Sequence, residues 1–326
     1  MSSTIMRIPV LIIPGPRPGR RAGCLRSRII FVIAWLALFS GCARVPDTGK
    51  TLLKPKTFSE LQGYLRGHKA DLDQFRLRGP FAVTVQDDYE IRLSTTELIK
   101  TDLFLSAHAE KAPLVIILHG YDSSKESHTY QAMHLASWGM HCLTLQLPNK
   151  GPWIGNGRTL AKIVKFIHSW PEIIDSRVDV NKIILVGHSF GGASVTVAQA
   201  EGAPVAGGIL LDPAFDGKSL PNYLRQINTP VMLLGADEHY SLARNRDLFY
   251  RFIRSNISEV SIKEAVHEDA QYPSAVGLAT EEHQVTFVSA LTATAFSLSF
   301  AGNFDYAWSS FGDALGTGKL FNAERK

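Results

Sequence analysis

Ile183-Ile184-Leu185-Val186-Gly187-His188-Ser189-Phe190-Gly191-Gly192-Ala193 is the stretch on which the reading of this chain turns. Four apolar residues in a row suit a short strand covered on both faces. The run from Ala193 to Gln199 then has helical character. Between them stands Gly-x-Ser-x-Gly, the pattern of a strand–turn–helix elbow that presents a nucleophile. Side chains flanking so tight a turn would collide, so glycines stand on either side of the serine. Ser189 is therefore the candidate nucleophile.

Outward from this point the same pattern repeats. Leu114-Val115-Ile116-Ile117-Leu118, Ile209-Leu210-Leu211 and Val231-Met232-Leu233-Leu234 are further short apolar runs. Leu160, Ile163, Val164 and Ile167 follow helical spacing, and a second helical stretch runs from Tyr130 to Trp138, ending at Gly139. Alternation of such strands and helices predicts one α/β domain, with a mostly parallel sheet covered by helices on both faces. Upstream, Phe81, Val83, Val85 and then Ile91, Leu93 alternate, which predicts two half-buried edge strands with Asp87-Asp88 as the hairpin turn. Thr57-Phe58-Ser59-Glu60 has capping-box form and opens a helix with Phe58, Leu61 and Leu65 on one face.

Attack by Ser189 on a carbonyl would need donors for the developing oxyanion. The backbone N–H of Phe190 is one candidate. The other is the N–H of Tyr121, on the His119-Gly120-Tyr121 loop that follows Leu118. The base is sought after Ser189, among His239, His267 and His283. His267 follows the alternating pair Val260, Ile262 and should lie on a loop after a final strand. His283 sits in a helix-like stretch, where solvation is its ordinary explanation. The acid is Asp212, which ends the strand Ile209–Leu211, or Asp237, which ends the next one. Either could orient an imidazole.

Composition narrows the field. Six arginines precede Cys42 with no acid among them, and subtracting them from the formal charge of +4 leaves −2 for the rest. Such a chain has no electrostatic footprint for nucleic acid. Of three cysteines only Cys142 lies within the domain, inside an apolar stretch where a thiol is expected to pack, so no metal set is expected. No cofactor motif is present.

The stretch from about 80 to 300 resembles the α/β-hydrolase superfamily, in its dienelactone-hydrolase-like branch with platelet-activating-factor acetylhydrolases, chlorophyllases and bacterial cutinases. Gly187-His188-Ser189-Phe190-Gly191-Gly192-Ala193 is similar to the acetylhydrolase elbow. Leu211-Asp212-Pro213 is similar to the acid-bearing segment of acetylhydrolases and chlorophyllases, while His119-Gly120-Tyr121 with Ser123-Ser124 looks more like the cutinase oxyanion loop. In cutinases the acid follows the later strand, where His239 stands here, and that departure favours Asp212. The resemblance implies a serine carboxylesterase without cofactor, acting on an ester through Ser189, Asp212 and His267. Acyl transfer or amide cleavage would use the same residues. A binding protein on this fold would normally show a broken triad. Only 18 residues separate Asp212 from Val231, with one short helix expected from Leu220 to Gln226, leaving little room for a large lid. Smaller, soluble esters suit such an elbow. The loop from Pro148 to Trp153 is a candidate wall of the acyl pocket.

The N-terminus reads as an address. A basic segment, Arg20 to Arg28, precedes the eleven-residue apolar run Ile29–Phe39, which falls short of the roughly 18–20 residues of a spanning helix. Ser40-Gly41-Cys42 follows and resembles the lipobox of bacterial lipoproteins, with Phe39 where an aliphatic residue is usual. The expectation is a signal peptide over 1–41, lipid on Cys42, a polar tether over 42–56 and the hydrolase domain over 57–326. Ala43, not aspartate, follows the cysteine, which by the same resemblance implies export to the outer membrane.

Overall fold

A computed structural model describes residues 55–326, except Ala109, Asp216, residues 238–245 and residues 275–276. The expected signal segment, Cys42, most of the tether and His239 lie outside the described residues. The strands are β1 (Val83–Arg92), β2 (Leu98–Ser106), β3 (Ala112–Leu118), β4 (His141–Gln146), β5 (Val178–His188), β6 (Gly207–Leu211), β7 (Val231–Gly235), β8 (Ile257–Ile262) and β9 (Leu320–Arg325). They form one sheet in the order β1-β2-β4-β3-β5-β6-β7-β8-β9. The run from β4 to β8 is parallel, and β1, β2 and β9 pair antiparallel at the two ends.

The helices are α1 (Phe58–Arg66), α2 (Thr129–Ser137), α3 (Trp153–Ser169), α4 (Phe190–Ala200), α5 (Leu220–Leu224), α6 (Arg246–Phe252), α7 (Glu281–Ala301), α8 (Asp305–Ser310) and α9 (Gly312–Gly316). Because strand side chains alternate between faces, the apolar runs feed two cores. Val115, Ile117, Ile184 and Val186 pack with α1, α2 and α7, while Leu114, Ile116, Leu118, Ile183 and Leu185 pack with α3 and α4. The α1 cap forms as its sequence dictates: Thr57 Oγ1 accepts the Glu60 N–H at 3.1 Å.

Helix α7 is long and apolar enough to cross a membrane by composition, yet 83% of that apolar window is buried inside the domain. Its hydroxyls do not oppose this burial. Thr286, Ser289, Thr292 and Thr294 each donate to the carbonyl four residues earlier, at 2.7–2.8 Å.

Two expectations are corrected. Asp87-Asp88 makes no hairpin turn: β1 runs straight through it, with a bulge between Gln86 and Tyr89, and the turn comes later, where the Leu93 N–H donates to the Glu97 carbonyl. The reason is tertiary. Asp88 donates its N–H to the Asp102 carboxylate at 2.9 Å, and Lys125 Nζ lies 2.6 Å from Asp102, 3.2 Å from Asp88 and 2.8 Å from Glu126. A buried lysine gathers three acids, one of which, Asp88, sequence alone assigned to a turn. Nor is β8 the final strand, because the later β9 pairs with it antiparallel.

Candidate active site

The candidate residues converge on the carboxyl edge of the parallel strands, where open α/β sheets bind their ligands. Ser189 links β5 to α4 with φ 54° and ψ −125°, backbone that a non-glycine residue adopts only at a cost of about 1–3 kcal/mol. Neighbours hold it there. Its N–H donates to the Leu211 carbonyl at 3.0 Å, and its own carbonyl accepts the N–H groups of Gly192 and Ala214. The glycine requirement is physical: a Cβ on Gly191 would stand 2.4 Å from the Leu118 carbonyl oxygen. Helix α4 can begin against the end of β3 only because that side chain is missing.

Asp212 leaves β6 with φ 38° and is 1% exposed. Its N–H donates to the Leu234 carbonyl at 2.8 Å, and its Oδ1 accepts the Ala236 N–H at 3.0 Å. Its Oδ2 lies 2.5 Å from His267 Nδ1. A carboxylate only accepts, so Nδ1 carries the proton and His267 Nε2 of the neutral ring keeps its lone pair. His267 opens a short 3-10 turn, His267–Ala270, just after β8.

Asp237 and His283, the alternatives, serve that turn instead. Asp237 Oδ2 accepts the Glu264 N–H at 2.9 Å, and its N–H donates to the Ala265 carbonyl. His283 is not simply solvated, as its sequence context suggested. Its Nδ1 lies 3.1 Å from Asp269 Oδ2, whose carboxylate also accepts the N–H groups of Val266 and Thr280. The alternative acid and the alternative base thus both brace the loop that carries His267.

The loop after β3 approaches Ser189 so closely that a Cβ on Gly120 would stand 2.8 Å from Ser189 Cβ. Tyr121 comes next. Neither its N–H nor that of Phe190 donates to another group among the described residues. The loop is fixed from behind, where the Asp122 N–H donates to the Asn149 carbonyl and the Lys125 N–H to Gln146 Oε1. His119 is buried between the Gly120 and Leu147 carbonyls, and burial lowers its pKa. The Phe190 ring stacks on Trp153 at 4.9 Å, with Tyr121 tilted beside it at 6.5 Å. Between Asp212 and β7 the described residues hold only α5, yet Ser189 is itself just 5% exposed, so the elbow sits at the base of its walls. Cys142 is a buried free thiol in β4, its pKa pushed well up by burial.

Sequence reasoning missed the histidines packed around the elbow. His188 lies with its ring 4.6 Å from that of His267 and 6.0 Å from that of His128. The only available signal was the number of histidines near strand ends. No group of three or more potential metal ligands occurs among the described residues.

The family model described as "Alpha/beta hydrolase family" matches residues 115–313, a span that holds Tyr121, Ser189, Asp212 and His267. No curated protein matches the chain.

Proposed function

The chain belongs to the alpha/beta hydrolase family, and on that footing we propose that it is a serine carboxylesterase. The observation that carries this reading is the 2.5 Å contact between the buried Asp212 and His267, at the sheet edge that also presents the strained Ser189. With Nδ1–H held by Asp212, His267 Nε2 is the free base of the pair. It takes the Ser189 Oγ proton as the oxygen bonds to the ester carbonyl carbon. The tetrahedral oxyanion is stabilised by the Tyr121 and Phe190 N–H groups. Collapse breaks the bond to the alcohol, which leaves with the proton from His267. Water then adds to the acyl-enzyme with the same base, releasing the acid and restoring Ser189. Asp212 stays ionised throughout and stabilises the imidazolium. Tyr121, Phe190 and Trp153 supply an aromatic wall beside the reacting carbonyl, suited to esters of modest size.

A p-nitrophenyl ester chain-length series, run with and without a serine-directed phosphonate, tests the reading. Phosphonate-sensitive hydrolysis that falls by orders of magnitude in Ser189→Ala is expected. Near-normal hydrolysis by a folded Ser189→Ala variant would refute it. From the lipobox resemblance of Ser40-Gly41-Cys42 we also propose that the chain is exported and carries lipid on Cys42.

A further inference from the structure

His188 is the last residue of β5 and immediately precedes the nucleophile. Its side chain is buried against the partly exposed His267, so each of its own ring nitrogens must be bonded internally or left bare. Nε2 lies 3.1 Å from the main-chain carbonyl oxygen of His267. A carbonyl cannot donate, so the proton sits on Nε2. We propose that His188 is a positioning residue, whose Nε2–H, donated to the His267 carbonyl, locks the base's loop onto the nucleophile's strand. The bond joins residues 79 apart in sequence and uses neither reacting side chain. This rests on the assignment of His267 as base in the proposed esterase.

Three features agree. The rings of His188 and His267 lie 4.6 Å apart at 38°, so packing and hydrogen bond act on the same pair. Burial, with His267, His128 and His119 nearby, holds the His188 pKa well below the usual histidine value, which leaves the ring one proton, and the carbonyl acceptor places it on Nε2. Nδ1 finds no hydrogen-bond partner among the described residues and faces Gly120, where a Cβ would stand 3.3 Å away. The imidazole thus fills the space between the oxyanion loop and the base's loop. The remainder of that base loop is held by other elements: Gln131 Nε2 donates to the Ala270 carbonyl and Gln284 Nε2 to that of Gln271. The His267 carbonyl, part of its own 3-10 turn, is tied to β5 by His188.

The test compares full-length wild type, His188→Phe and His188→Gln. Phe keeps the ring and loses the donor, whereas the Gln amide nitrogen replaces Nε2. Amide hydrogen exchange over residues 264–271 should quicken about fivefold in the Phe variant and return most of the way in the Gln variant. With p-nitrophenyl butyrate, kcat should fall about tenfold or more in the Phe variant, with KM within about twofold, and recover partly in the Gln variant. Unchanged exchange with kcat within twofold of wild type overturns the proposal. So does a Gln variant as impaired as Phe in both measurements, which would mean the ring acts by packing alone. If His188→Phe does not fold, His188→Asn takes its place, because its shorter amide stops at the position of Nδ1. A wild type that hydrolyses no ester defeats the esterase reading, while the exchange data still decide whether His188 ties the loop.

Discussion

Acid should unfold this domain, and buried histidines set where. His128 and His141 are completely buried, and His134 nearly so. Burial pushes each of their pKa values down to about 4, and Arg177 adds to the effect at His141. In the unfolded chain a histidine titrates near 6.5. Above that pH the ring is neutral in both states and the folded state is not penalised. As pH falls from about 6.5 towards 4, the unfolded chain takes a proton at each site and the folded chain does not. Stability then drops by about 1.4 kcal/mol per pH unit per histidine. At pH 5 that is about 2 kcal/mol each and about 6 kcal/mol for the three, against a typical stability of about 5–15 kcal/mol. His108, His119 and His188 are shifted in the same direction by burial. Asp175 and Glu126, held down to about 2, lose their contribution only as pH falls from about 4 towards 2 and do not alter the slope between pH 6.5 and 5. Urea unfolding of the full-length protein between about pH 7.5 and 5 measures the slope. His134 is the site to change, because its Nε2–H donates to the Phe75 carbonyl at 2.8 Å and an amide can replace that donor. His134→Gln should remove about 1.4 kcal/mol per pH unit from the dependence. A stability that stays flat from pH 7 to 5, or a slope untouched in a folded His134→Gln variant, would refute the reasoning.

Other outcomes follow from the same geometry. Asp212→Asn should lower kcat by about 10⁴-fold, while Asp237→Asn, at a bracing position, should stay within about tenfold of wild type; the reverse order in an ester assay would exchange their roles. Gly120→Ala would press a methyl group against Ser189 Cβ, and a folded variant should lose at least about tenfold in kcat with p-nitrophenyl esters. Lys125→Met leaves the buried Asp102 carboxylate without its cation, and should cost about 3–5 kcal/mol by urea denaturation at neutral pH. Cys42→Ser should abolish palmitate labelling of the chain in a bacterial host and leave either an uncleaved precursor or a soluble protein; a wild type that is unlabelled and soluble would defeat the lipid-anchor proposal.

β3, β5, β6 and β7 were legible because their buried positions are filled by uninterrupted apolar runs, whereas the equally buried β8 carries Ser258, Glu259 and Ser261 and gives no such run. The elbow was legible because its glycines are demanded by local backbone contact. Helix α7 was hard to read, since it is covered nearly all round and its threonines and serines hide their hydroxyls on their own backbone. The bulge in β1 was misread because Lys125, remote in sequence, overrides the turn preference of two neighbouring aspartates. Choosing between Asp212 and Asp237 rested on resemblance rather than spacing. Both reach the loop after β8; what separates them is that Asp212 meets the His267 ring while Asp237 meets the Glu264 N–H, and no local pattern carries that information. The role of His188 was invisible for the same reason, because its partner is a backbone oxygen 79 residues away.

The backbone bonds at the elbow also fix when a reactive serine can exist. Ser189 is held by a carbonyl of β6, Asp212 by a carbonyl of β7, and His267 arrives only after β8. Ser189 and Asp212 therefore each borrow their place from a strand later in the chain, and His267 is delivered only once β8 is in place. A partly assembled sheet would present Ser189 as an ordinary alcohol. Phosphonate labelling of Ser189 should then report complete docking of four strands, counting finished molecules during refolding, while helix-sensitive signals rise earlier. On this account a chain still threading outward from the ribosome is chemically silent, and its reactivity is switched on by the last strand to dock.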